Sequence, residues 1–151
     1  MNIFVLDKDP VKAAHFACDK HVIKMLLETA QILSTVTGGP YRPTHVNHPC
    51  VLWAAEKPEN LAWLIAYGIA LSHEYTARYG KIHKSGVVLA EIAEKCPTTL
   101  DDSNKLTYIQ CMPEQYKQDD VVAAYRAYYR GEKVKFATWN HCETPTWWKG
   151  K

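Results

Sequence analysis

A chain of 151 residues, 47% hydrophobic and 23% charged, has apolar side chain enough for one core but not for two, so a single domain over 1–151 is expected. A net charge of +2 lies well below the basic balance of a protein that coats nucleic acid with its whole surface, leaving a local basic patch or a small ligand as the possibilities. The opening residues lack the basic start and apolar run of a signal peptide, no stretch approaches a ~20-residue membrane span, and five cysteines without a close pair read as free thiols, so a cytoplasmic protein with no membrane partner is expected.

Ile3 to Leu6 is a short apolar run, extended or a strand. Asp9 before Pro10 is a helix start, an acidic cap followed by proline in the first turn. The helical pattern from Val11 lasts to Gly38-Gly39-Pro40, with a break near Cys18-Asp19, where Asp19 opens a second helix. Tyr41 to Pro49, rich in proline, is a loop, and Val51 to Lys57 a short helix. Pro58 opens a helix that runs to about Tyr79 and ends at Gly80, and Ser85 to Lys95 forms another, closed by Pro97. Pro97 to Gln118 is polar and irregular. A last helix spans Val121 to about Arg130, stopped by Gly131, before a tail containing three tryptophans. The reading is all-α: a single compact helical domain of four to six helices with a long irregular loop and an aromatic C-terminal tail.

The segment DKHVIKMLLETAQILST, residues 19–35, is apolar except along one line. At 100° per residue, His21, Lys24, Glu28, Gln31 and Thr35 fall within roughly 80° of one another. Such a seam between wide apolar flanks faces a thin strip of solvent or the floor of a cleft. As a solvated face it offers only an i,i+4 pair, Lys24 with Glu28. As a cleft floor it offers Glu28 as a general base or charge stabiliser, with His21 and Lys24 binding an anion.

These residues resemble a family. Asp19-x-His21 followed seven residues later by Glu28, with the tail residues Pro145, Thr146, Trp147, Trp148 and Lys149, is similar to the phage pyrimidine-dimer DNA glycosylases of the endonuclease V type. The resemblance implies an all-α fold, a DNA substrate, Glu28 as the essential carboxylate, and attack on C1′ of the damaged nucleotide by the α-amine of residue 2 after methionine removal. Residue 2 here is Asn, whose size argues against that processing, and Leu27 and Gln31 stand where the family has arginines. The chain also looks like other phage-encoded proteins beginning MNIF, which implies a host cytosol.

Other groups of residues have two readings each. His45, Asn47 and His48, in the loop before Cys50, suit substrate contact; His45, His48 and Cys50 as zinc ligands lack a supporting CxxC, and no metal is expected. Arg78, Lys81, His83 and Lys84 surround a glycine turn that feeds a helix start, suited to a phosphate or to a solvated helix end. Arg126 and Arg130, interleaved with Tyr125, Tyr128 and Tyr129, suit phosphates, with Tyr125 and Tyr128 turned to the core. The tail tryptophans with Lys149 and Lys151 form either an aromatic–basic DNA surface or a pinned tail. No Walker loop, GxSxG, HExxH or dinucleotide fingerprint occurs, and no cofactor is expected.

The leading expectation is a DNA repair or DNA-modifying enzyme, an N-glycosylase with Glu28, His21 and Lys24 as catalytic residues. Gln31, His45, Asn47, His48, Arg78, Lys81, His83, Lys84, Arg126 and Arg130 would contact substrate. The alternatives are a binder or hydrolase of a small nucleotide on the same fold, and a protein that docks on a host factor.

Overall fold

The computed structural model describes residues 1–148, in which six α-helices and two short 3-10 turns form one body without strands. The helices are α1 (Pro10–Phe16), α2 (Asp19–Thr37), α3 (Pro49–Glu56), α4 (Pro58–Tyr79), α5 (Lys84–Lys95) and α6 (Val121–Glu132). Their ends follow from local chemistry. Asp9 accepts from the Val11 amide ahead of Pro10, and Asp120 accepts from the Val122 and Ala123 amides. Gly38 and Gly80 close α2 and α4 in the left-handed conformation that side chains disfavour, at φ 73° and 70°. No described helix is long and apolar enough to cross a membrane.

The long α4 is the centre and packs against α1, α2, α3 and α5. Its inward face, with Trp63, Leu64, Tyr67 and Leu71 fully buried, shares one core with Val22, Leu26, Ile32 and Leu33 of α2. Complete burial of such side chains contributes about 1.5–3 kcal/mol each before the entropy cost of ordering them. The irregular segment between α5 and α6 holds 3-10 turns at Ser103–Lys105 and Glu114–Tyr116. It is anchored by Tyr108, stacked on Trp53 at 5.9 Å.

The helix α6 runs two residues past the expected end and includes Gly131. The glycine there answers a close approach rather than a stop: a Cβ would lie 2.3 Å from the Tyr116 hydroxyl. On α6 the core residues are Tyr125 and Tyr129, one turn apart and fully buried, while Tyr128 is only partly covered. The described part of the tail is pinned. Trp139 is buried and donates to the Phe16 carbonyl at 3.0 Å, and Trp147 and Trp148 pack edge-on around Tyr129. Lys149 and Lys151, the basic half of the expected aromatic–basic surface, lie outside the described residues.

The apolar start, Ile3 to Leu6, is no strand. It is an irregular segment buried throughout, with Phe4 at φ 33°, an uncommon conformation for a bulky residue. Rings on several sides hold it there. His21 lies 4.5 Å away, Tyr128 stacks at 5.9 Å, and Tyr125 and Tyr129 meet its edges. This threading fixes where residue 1 emerges.

Candidate active site

The N-terminal ammonium of Met1 lies 3.3 Å from Oε1 of Glu28, and the two side chains are only 4% and 13% exposed. Oε1 itself is buried and receives no hydrogen bond, so the contact is an ion pair rather than a directional bond. Asn2 sets the position. Its Nδ2 donates to the Cys111 carbonyl at 2.6 Å and its Oδ1 accepts from the Ile3 amide at 2.8 Å. Glu28 therefore sits midway along α2 facing a primary amine, two groups of the types that serve as base and nucleophile.

The loop from Tyr41 to His48 borders this pair. Thr35 stitches it to α2, receiving the Thr44 amide at 3.0 Å. His45 takes φ 49°, another uncommon non-glycine conformation, and Val46 and Asn47 are exposed beside it. His48 caps α3, its Nδ1 accepting from the Cys50 amide at 3.1 Å. The Met1 ammonium and the Glu28 charge both act on His48 and Cys50, and the ammonium acts on Cys111 as well. The Cys50 thiol hydrogen-bonds that of Cys111, which raises Cys50 and lowers Cys111 relative to an ordinary thiol. Lys24 is exposed one turn before Glu28, and Gln31 is half-exposed just after it. Glu28 and His48 thus share the neighbourhood of the Met1 amine, with Lys24 and Gln31 about one turn to either side of Glu28 along α2 and His45 and Asn47 on the loop that ends at His48.

His21 is turned inward, a correction to its expected place beside Lys24. Tyr129 Oη accepts from the Cys18 amide and shares a 2.7 Å hydrogen bond with His21 Nδ1, with the Cys18 sulfur 3.6 Å away as a further acceptor for its proton. Burial, with the charges of Lys133, Lys24 and Lys20, pushes His21 down to about 3 from 6.5. A neutral buried imidazole does not bind phosphate. It has a consequence for stability, because the unfolded chain takes a proton near pH 6.5 that the native state refuses. The stability is whole above pH 6.5 and is lost as the pH falls toward 3, at about 1.4 kcal/mol per pH unit. Urea unfolding at pH 5 against pH 7 should show about 2 kcal/mol lost to this group. His21→Gln should remove that share, and an undiminished acid loss in the variant would refute the assignment.

Arg78 is also corrected. Its side chain is 1% exposed, and its guanidinium is spent on Asp19, Glu74 and the carbonyls of Ala17 and His15. No donor remains for a phosphate. Lys81, His83 and Lys84 follow at the α4–α5 turn, and His83 is occupied as the α5 cap, its Nδ1 accepting from Ser85. That turn adjoins the Asp19 end of α2, where Tyr79 donates to the Asp19 carbonyl, about 13 Å of helix from Glu28. Arg126 donates to the Leu6 carbonyl at 2.9 Å and lies over the Phe16 and Trp147 rings. Arg130, exposed, donates to the Trp147 carbonyl at 3.2 Å. Neither arginine adjoins Glu28 by any of these contacts.

The resemblance points to the α-amine of residue 2, with Asn2 only as an obstacle to its exposure; the placing of the Met1 amine against Glu28, and of Cys111 beside it, was not expected. The apolar pattern of the opening residues by itself carries no sign that the first atom will be folded against a carboxylate ~27 residues on. The largest groove, about 740 Å³, lies elsewhere and is lined by Asp7, Asp119 and Asp120 with Lys8 as its lone lysine. That charge suits no nucleotide phosphate.

The family model described as pyrimidine dimer DNA glycosylase matches residues 1–85, which include Met1, Glu28, the His45 loop and all of α4. No curated protein and no solved structure matches the chain.

Proposed function

This chain belongs to the pyrimidine dimer DNA glycosylase family, and on that premise we propose that it cleaves the glycosidic bond of a damaged pyrimidine in duplex DNA. In this proposal Glu28 is the catalytic carboxylate and the Met1 α-amine the nucleophile. The single observation that carries the reading is the 3.3 Å approach of that amine to Glu28 inside the matched residues.

The steps follow from the pair. The Met1 ammonium first gives one proton to solvent; the uncharged amine then attacks C1′, and a nitrogen–carbon bond forms as the glycosidic bond breaks, its electron pair leaving with the base, which takes a proton from solvent. Positive charge on the sugar peaks during this exchange, and the Glu28 carboxylate, short of hydrogen bonds and of water, stabilises it where it develops. Glu28 takes the proton that the nitrogen sheds and returns it to the sugar-ring oxygen as the ring opens to an imine. Lys24 and Gln31 are suited to the flanking phosphate and sugar. The loop of His45, Asn47 and His48, with Val46 exposed at its tip, is suited to fill the space left by an extruded nucleotide. Lys81 and Lys84 would meet more distant phosphates.

The small-nucleotide reading has weaker support, since the largest groove carries three carboxylates. Borohydride trapping separates the possibilities. Incubation with a duplex carrying a thymine dimer is expected to yield a covalent adduct that peptide mapping places on Met1. Extending the chain by a few residues ahead of Met1 is expected to abolish it. An adduct of equal yield on the extended chain would refute the amine.

A further inference from the structure

Next to the Met1–Glu28 pair lies a cluster built on two thiols that glycosidic cleavage does not use, joined by His48 from the base of the loop. Among the described residues, one nitrogen of His48 and the sulfurs of Cys50 and Cys111 lie within 4.8 Å of one another. His45, grouped with His48 and Cys50 on sequence spacing, is not in this cluster; Cys111, far along the chain, takes its place. We propose that His48, Cys50 and Cys111 form a binding site for one zinc ion, with water as the fourth ligand.

The donor set selects the metal. Two thiolates and an imidazole match borderline-soft zinc and disfavour magnesium and calcium, which require oxygen. Tetrahedral zinc with these ligands spaces sulfur and nitrogen atoms roughly 3.5–3.8 Å apart, so side-chain rotation alone closes the site. The backbone is already fixed on both sides. Cys50 sits in the first turn of α3, and the Cys111 amide donates to Tyr125 Oη at 3.1 Å while its carbonyl accepts from Asn2. Cys50 is fully buried, His48 and Cys111 partly so, which leaves one open side for water. Binding releases one proton from each thiol. It also replaces the hydrogen bond from the Cys50 amide to His48, since Nδ1 either binds the ion or takes the ring proton when Nε2 does. The ion would clasp α3 to the segment that holds Asn2, and so brace the terminal amine.

The test uses the full chain, reduced and stripped with a chelator, and titrated with cobalt(II) as the spectroscopic probe. The expected result is thiolate-to-cobalt charge-transfer absorption with tetrahedral d–d bands, saturating at one cobalt per chain and bleached by added zinc. Cys111→Ser, at a partly exposed position whose backbone bonds are unaffected, should lose these bands while keeping its melting temperature without metal. His48→Asn, which retains a capping side chain, should weaken binding at least ~10-fold. Cys96→Ser should bind as the parent does. Absence of the bands in the reduced parent, or their persistence in Cys111→Ser, would overturn the proposal.

Discussion

Glu28→Gln is expected to slow base release from a thymine-dimer duplex by ~100-fold or more in single turnover, with duplex affinity within about two-fold of the parent. The amide keeps the shape of the carboxylate and removes its charge and basicity. Both matter only once C1′ has begun to ionise and the amine to shed a proton, so the loss belongs to the chemical step and not to binding. The variant also separates two roles for the Met1–Glu28 contact. If the carboxylate merely neutralises a buried chain end, the substitution lowers the melting temperature and leaves turnover alone. If it is catalytic, turnover falls in a protein that remains folded at the assay temperature. Single-turnover base release and thermal melting on the same preparation distinguish these outcomes, and unchanged turnover would remove Glu28 from the mechanism.

The fold was legible where the chain punctuates itself. Proline at the start of α1 and α4 and glycine at the ends of α2 and α4 mark helix limits through their φ preferences, whereas Pro49, read as the end of a loop, opens α3 two residues before the expected Val51. Gly131 misled because its absent side chain serves Tyr116, a neighbour unknown until α6 has packed. The seam on α2 was half legible. Periodicity places Glu28, Lys24 and Gln31 on one line, but the same line carried His21 inward, because Phe4 and Tyr129 form a ring-lined slot at that end. The Asp-x-His motif that supports the family resemblance is therefore structural in both members. Asp19 holds Arg78, His21 holds Tyr129, and Glu28 is left to face the amine. The amine and Cys111 come to the site through chain threading, which leaves no local pattern.

Arg78→Ala is expected to have the largest stability effect, about 3–5 kcal/mol. The guanidinium joins three elements: the carbonyls of His15 and Ala17 at the end of α1, Asp19 at the start of α2, and Glu74 one turn earlier on α4. Truncation leaves the Asp19 carboxylate, 8% exposed, with only the Asn140 amide as a partner, and leaves the two carbonyls without donors. For a chain of this length the loss corresponds to a melting temperature lower by roughly 10 °C. Had Arg78 been a phosphate ligand, its removal would weaken duplex binding and flatten the salt dependence at an unchanged melting temperature. The buried network requires the opposite pattern. Duplex affinity and base release at about 15 °C should stay within about two-fold of the parent, then fail on warming in step with the unfolded fraction. Asp19 and Glu28 share one rigid helix, so the anchor acts on the active site only through the integrity of α2, and an affinity loss in the fully folded variant would return Arg78 to the DNA interface.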